Sequence, residues 1–427
     1  MSGIVGVVTT TNDHASSLIL YGLYALQHRG QVNAGMATIH KGRLIVNKGS
    51  GLISDVFPNN VPLHLPGRRG LGHVKYGEYK NYDPGQDNLP KEYEIDGKKC
   101  LLSLDGNILN RDFDLYPMTK ALSGSLDEAR TYLNGLRGAF AGIYMDQDKM
   151  IGFRDQQGLK PICVGQLDDG LIIASETCAI DSTGASLIRC LEPGEMVVIN
   201  GGDPEYYHFN GDTPKRKCIF EYVYISRPDS YFDGVSVYNA RYAMGRNLFL
   251  EQPTEADIVM GAPDSGLVAA MGYAEASKIP YKDGIIKNRY IGRTFINPDE
   301  QTRTKDIFIK LNPVKEVLKN KRVILVDDSI VRGSTVKRTI RMLKEAGAKE
   351  VHVRIASPMV KFPCNLSVDT PDREHLIATH MDRDDICSFI GADSLYYLTI
   401  DGLKDACQGL DYCDNCFTGN YPIKDLP

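Results

Sequence analysis

The stretch RVILVDDSIVRGSTVKRTIRMLKEAG, residues 322–347, admits few folds. Val323 to Val326 form a continuous apolar run of strand length, bounded at once by the acid pair Asp327 and Asp328. A small-residue loop follows, Ser329 to Thr335, and then a helical pattern with Val336, Ile340 and Leu343 on one face and Gly347 as its stop. A strand apolar on both faces and followed by a helix is a unit of a parallel sheet. Ligands of such sheets lie outside the carboxyl ends of the strands, where the two acids stand. A loop of backbone N–H groups opening into a helix N-terminus is a ready anion site. Gly333 permits close backbone approach, and Ser334 and Thr335 add hydroxyl donors. The acid pair above that loop suits a ribose diol or a Mg²⁺-bound sugar phosphate.

The surrounding second half repeats the rhythm. ADIVMGAPD, SGLVAAMGYAEASKI and EVHVRIASP alternate strand and helix, as a doubly wound parallel sheet requires. VMGAPDSG brings Pro263, Asp264 and Ser265 to the end of another apolar strand, able to offer backbone N–H groups to a pyrophosphate. KNRYIGRTFI carries Lys287, Arg289 and Arg293, cations able to neutralise a departing anion. The first half has another character. To about residue 210 it holds short strand-like runs separated by glycine and Asp/Asn turns, such as GIVGVV, CLLSLDGN and GEMVVIN, with one amphipathic helix in SLILYGLYALQHRG. The polar YYHFNGDTPKRK marks the boundary, giving domains of 1–210 and 211–427.

At the very start, MSGIVGVV reads as a buried strand beginning beside the terminus. In N-terminal-nucleophile hydrolases the first side chain after Met removal attacks and its own amine is the base, a part Ser2 could play. Net charge is −5 and no run approaches the roughly 18 apolar residues of a membrane helix, so neither nucleic acid nor membrane is an expected partner. No basic n-region precedes an apolar core, and a cytoplasmic location is expected. Ten cysteines in a reducing compartment are then not a disulfide framework. Cys100, Cys163, Cys178, Cys190, Cys387 and Cys407 sit in or beside apolar segments and read as small buried hydrophobes. Cys413 and Cys416 form a CxxC, and Cys218 and Cys364 lie in polar or turn-rich surroundings.

With these residues in place, nearly the whole chain resembles the amidophosphoribosyltransferase family. The likeness is carried by YGLYALQHRGQ, GLISDVF, LGHVKY, ASETCAID, EPGEMVVIN, SRPDS, KNRYIGRTFI, VDDSIVRGST and CFTGNYP. It implies an N-terminal-nucleophile (class II glutamine amidotransferase) αββα sandwich followed by a type I phosphoribosyltransferase sheet, an α+β and an α/β domain. It also implies a reaction: ammonia from glutamine attacks C1 of phosphoribosyl pyrophosphate (PRPP), giving phosphoribosylamine and pyrophosphate. On this resemblance Asp327 and Asp328 hold the ribose and Mg²⁺. Ser329, Ile330, Val331, Arg332, Gly333, Ser334 and Thr335 cradle the 5′-phosphate. Lys287, Arg289 and Arg293 assist pyrophosphate departure. The surroundings of Cys218, Cys364, Cys413 and Cys416 are similar to the ligand stretches of members that carry a [4Fe–4S] cluster, although four thiolates would hold zinc equally well on chemistry alone. A homo-oligomer, dimer or tetramer, is expected.

The glutaminase half departs from the family. Its initial Cys is Ser2, its HVRYAT is HVKYGE, and its HNGN is LDGN. Lys75 lacks the bidentate fork with which the family arginine grips the glutamine carboxylate, and Glu78 adds a repelling charge. Asp105 and Gly106 stand where Asn and Gly form the family's oxyanion hole, and an ionised Asp105 opposes an oxyanion. Ile108 to Gly138 is compressed, without the family's SDTE stretch. In the transferase half, Gly266 replaces the Ser that ends the family's PDSS or PETS stretch, and Phe308 replaces a usual arginine. The expected activity is therefore PRPP-dependent transfer to ammonia or another amine without glutamine hydrolysis, the ammonia free or supplied by a partner such as an active homologue. Two other classes remain: a non-catalytic regulator or scaffold binding PRPP or nucleotide, and a Ser2-dependent amidohydrolase.

Overall fold

The computed structural model describes residues 1–58, 65–77, 89–111, 113–209, 211, 213–288, 311–366, 368, 370, 372–409 and 411–423. Two stacked antiparallel sheets fill the first half. The seven-stranded sheet runs, edge to edge, through Ser186–Cys190, Cys163–Leu167, Gly170–Ala174, Ser2–Thr9, Arg69–Lys75, Asn33–His40 and Arg43–Ser50. The six-stranded sheet runs through Glu205–His208, Glu195–Ile199, Met150–Arg154, Gly138–Met145, Lys98–Ile108 and Lys91–Ile95.

Alternation sorts each strand between the layers. From Ser2–Thr9, Ile4 and Val8 enter the core shared with Leu101, Ile143 and Val197 of the facing sheet. Val5 and Val7 turn outward beneath Ile19 and Leu23 of the helix Ala15–Ala25. The strand is buried on both faces, which is why its sequence reads as a nearly continuous apolar run. Outside the second sheet, Leu102, Phe140, Tyr144 and Phe153 pack under Met118, Leu122, Ala129 and Leu133. Those four belong to the helices Leu115–Ser123 and Leu126–Asn134, which complete an αββα sandwich. Both helices lie in the segment read from sequence only as compressed. Their signals were there: Asp114 accepts from the Tyr116 N–H, and Ser125 and Glu128 form a reciprocal capping box.

In the second half, Ile258–Gly261, Arg322–Asp327, Glu350–Ile355 and Ser394–Tyr397 form a parallel sheet in that order. Helices Val237–Glu251 and Leu267–Ser277 cover one face, and Ser334–Glu345 and Arg383–Ile390 the other. The crossover changes face at the strand Arg322–Asp327, so a crevice opens at its carboxyl end. Among the described residues no helix is long and apolar enough to cross a membrane.

Two cysteine assignments change. Cys163 and Cys190 face each other across adjacent antiparallel strands and are joined as a disulfide. The pairing arises from the register of an edge strand 27 residues away, which nothing local to either cysteine announces. Cys100, Cys178 and Cys407 are buried as expected, and Cys387 is partly exposed.

Candidate active site

Asp327 ends its strand and Asp328 begins the loop. The Asp328 N–H donates to Asp327 Oδ1 at 2.9 Å, and Ser329 Oγ donates to Asp328 Oδ2 at 2.6 Å. Burial and the adjacent Asp328 charge hold the Asp327 carboxyl well above the usual range. Two carboxyl groups so placed repel until a cation or a diol donor lies between them. The loop turns on Gly333, whose φ of +76° precedes the helix Ser334–Glu345. Of the loop residues, Ile330 is core and can offer a ligand only its backbone, whereas Arg332, Ser334 and Thr335 are exposed.

Pro263, Asp264 and Ser265 follow the neighbouring strand. Ser265 Oγ donates to Asp327 Oδ1 at 3.3 Å, so the two strand ends meet. Lys287 Nζ is paired with Asp264. Gly266 is more than a lost hydroxyl. A Cβ there would lie 2.2 Å from Val326 O and 3.0 Å from Asp327 Cα, so the backbone occupies the space a side chain would need. Arg289, Arg293 and Phe308 lie outside the described residues, as does Glu78.

The Ser2 region is built from charges that sequence distance hides. The Ser2 N–H donates to Asp105 Oδ1 at 2.7 Å. Asp105 is fully buried, with Lys160 Nζ at 3.3 Å and Arg29 Nη2 at 3.4 Å. Burial alone would raise its carboxyl pKa, but Lys160 and Arg29 hold it below the usual range. Arg29 also donates through Nε to Ser2 O (3.0 Å) and through Nη1 to Glu176 (2.7 Å), and it grips Glu221 with both terminal nitrogens at 2.9 Å. His28 Nε2 lies 2.7 Å from Glu176 and its Nδ1 3.1 Å from Ala25 O. Each ring nitrogen therefore faces an oxygen acceptor. Lys75 is buried and pairs in register with Ser2. Burial pushes nearby His73 down to about 3, leaving it neutral. Gly106 has φ +116°, and a Cβ there would meet Ala139 O at 1.9 Å. Sequence reading reached Ser2, Lys75, Asp105 and Gly106 but gave no role to Arg29 and Glu176, which lie inside the motifs YGLYALQHRGQ and ASETCAID, or to Lys160 and Glu221.

A cavity of about 620 Å³ separates this region from the acid pair. Met1, His28 and Tyr76 line one side, and Arg241, Asp264 and Lys287 the other.

Cys218, Cys364, Cys413 and Cys416 converge from three segments. Cys218 and Cys413 are partners in a short parallel bridge, and burial with the neighbouring Cys218, Cys364 and Cys413 pushes the Cys416 thiol well up. The Val368 N–H donates to Cys364 Sγ at 3.4 Å. Burial, then the neighbouring Glu221 and Cys364, pushes the Cys218 thiol up to about 12. Among the described residues, no three of these sulfurs lie within 4.8 Å of one another; the one group that close is the exposed Asp372, Glu374 and His375.

Residues 240–369 match the phosphoribosyl transferase domain family. The amidophosphoribosyltransferase of Archaeoglobus fulgidus is 39% identical over 452 aligned residues, spanning 99% of this chain and 98% of its own length. That of Bacillus subtilis is 40% identical, spanning 97% of this chain and 92% of its own. The solved structure of the B. subtilis glutamine PRPP amidotransferase complexed with ADP and GMP superposes with a TM-score of 0.90 at 38% identity. It covers 100% of this chain and 99% of that one.

Proposed function

The chain belongs to the amidophosphoribosyltransferase family and is a phosphoribosyltransferase; on that premise we propose that it transfers the phosphoribosyl group of PRPP to ammonia or another amine without hydrolysing glutamine. Asp327 and Asp328 bind the ribose hydroxyls, and the backbone of Ser329–Thr335, with Ser334 and Thr335 hydroxyls, takes the 5′-phosphate. Pro263–Ser265, Lys287, Arg289 and Arg293 receive the pyrophosphate. Attack at C1 passes through an oxocarbenium-like state, so catalysis is chiefly positioning and neutralisation of the leaving group. The acid pair fits Mg²⁺, being two hard oxygen donors at one strand end. Bound there, the ion would neutralise charge between the carboxylates and the pyrophosphate.

Loss of glutaminase rests on Asp105. A nucleophile that uses its own α-amine needs that amine neutral. A buried carboxylate 2.7 Å from the Ser2 nitrogen favours the ammonium once Met1 is removed. The same carboxylate occupies the family's oxyanion position with negative charge, where a donor is required. Ser2 is also a weaker nucleophile than a thiolate. Glutamate release from glutamine, with PRPP present, tests this directly. None is expected; release abolished by Ser2→Ala would refute the reading.

The four cysteines fit a [4Fe–4S] cluster better than a single zinc. Zn–S bonds of about 2.3 Å require all four thiolates within about 4 Å of one another, and no three of these sulfurs lie together within 4.8 Å. Their role is structural, since Cys218 leads out of the first half while Cys413 and Cys416 hold the C-terminal tail.

A further inference from the structure

Among the described residues, the basic side chains that line the cavity between the two halves each have a carboxylate partner, with Arg241 the exception. His28 is held by Glu176, Arg227 by Asp229, and Lys287 by Asp264. Arg241 is only 4% exposed and makes no ion pair with any described residue. Its Nε donates to Tyr222 O and its Nη2 to Ser226 O, both at 2.8 Å. Those acceptors are neutral. They fix the plane of the guanidinium without cancelling its charge, and Nη1 has no acceptor among the described residues. Asp328, Glu176, Tyr224 and Glu221 act on it only from beyond ion-pair distance, together too weakly to offset its burial, which draws its pKa down. Buried charges are ordinarily paired, because burial strips an uncompensated one of its hydration. A preoriented, unpaired guanidinium on the wall of a 620 Å³ cavity, beside the PRPP acids, is therefore an anion site.

We propose that Arg241 binds an anionic group of a substrate in this cavity, on the side facing the acid pair. The proposal rests on the PRPP reading above. Two sources share the chemistry: the pyrophosphate of PRPP, and an acid group carried by an amine acceptor. The first is expected, because Pro263, Asp264 and Ser265 line the same cavity. Arg241 was not among the residues singled out from sequence, since an arginine in the helical run VYNARYAMG looks like an ordinary surface charge.

The test measures binding of inorganic pyrophosphate with Mg²⁺ by calorimetry, and initial rates with PRPP against ammonium and against glycine. Arg241→Gln is expected to weaken pyrophosphate binding tenfold or more while its circular dichroism spectrum is kept. Unchanged pyrophosphate binding with a raised KM for glycine, but not for ammonium, would assign the acceptor's acid group instead and keep the anion site. Unchanged values on all three would overturn it, as would failure of the unaltered protein to bind pyrophosphate together with an unchanged KM for glycine. Should the Gln variant not fold, Arg241→Lys decides. It keeps the charge and stem but cannot reach two carbonyls and an anion together, so at least a threefold loss is expected and none would be contradictory. Pyrophosphate binding by an unaltered protein that never turns over PRPP would fault the reaction and leave the anion site standing.

Discussion

Asp105 accepts from the Ser2 N–H and faces Lys160 and Arg29 with no exposed surface. Replacing it with Asn keeps the shape and leaves two buried cations short of a partner. Asp105→Asn is expected to lower stability in urea unfolding by about 3–5 kcal/mol, the usual cost of breaking a buried pair. It alone should not confer glutamine hydrolysis, because Ser2 and Lys75 remain. The same network sets an acid limit. Asp105 and Glu176 are both held below the ordinary carboxylate range, Glu176 against its burial by His28 and Arg29. Groups depressed in the folded state contribute stability that is complete above their unfolded pKa values, about 3.9–4.3, and is lost as pH falls through the folded values. Melting temperature should therefore fall on acidification below about pH 4, and less steeply in Asp105→Asn. The family motifs showed that position 105 had become an acid. The cations that keep it ionised could not be read, because Arg29 and Lys160 lie far from Asp105 in sequence and meet it only in the folded sandwich.

At the level of elements, what was local in sequence was legible. Strand, acid pair, loop and helix follow one another within residues 322–347 and appear in that order in the fold. The helices Leu115–Ser123 and Leu126–Asn134 were missed because each has only nine residues, too few for a periodic pattern to stand out. The meaning of Gly266 was missed because the obstacle is the backbone of the neighbouring strand. Gly333 offers a test of the loop itself. Its φ is +76°, and a Cβ there would approach Ile377 Cδ1 to 2.9 Å. Gly333→Ala should cost about 1–2 kcal/mol from the left-handed backbone alone. It should also raise KM for PRPP at least tenfold. A variant with lowered stability but unchanged KM would show that the loop does not hold the phosphate.

Across the whole molecule, the cysteine site bears on both halves. Cys413 packs with Ala139 and Leu159 of the first half and with Leu366 of the second. Asn107 Nδ2 donates to Asn365 O at 3.4 Å and Gln157 Nε2 to Pro422 O at 3.3 Å. Protein purified without oxygen should contain about four irons per chain and an absorption shoulder in the visible. Removing the metal should raise amide exchange in residues 411–423 and in the strand Lys98–Ile108 together. Zinc in place of iron would contradict the assignment. The central claim is that the transferase half works while the Ser2 half no longer supplies its ammonia. The most direct measurement is pyrophosphate release from PRPP and Mg²⁺ by protein purified without oxygen, with ammonium chloride and glutamine supplied separately. Release with ammonium and none above background with glutamine is the predicted result. Release with glutamine at a comparable rate would contradict it and make Ser2 a working nucleophile.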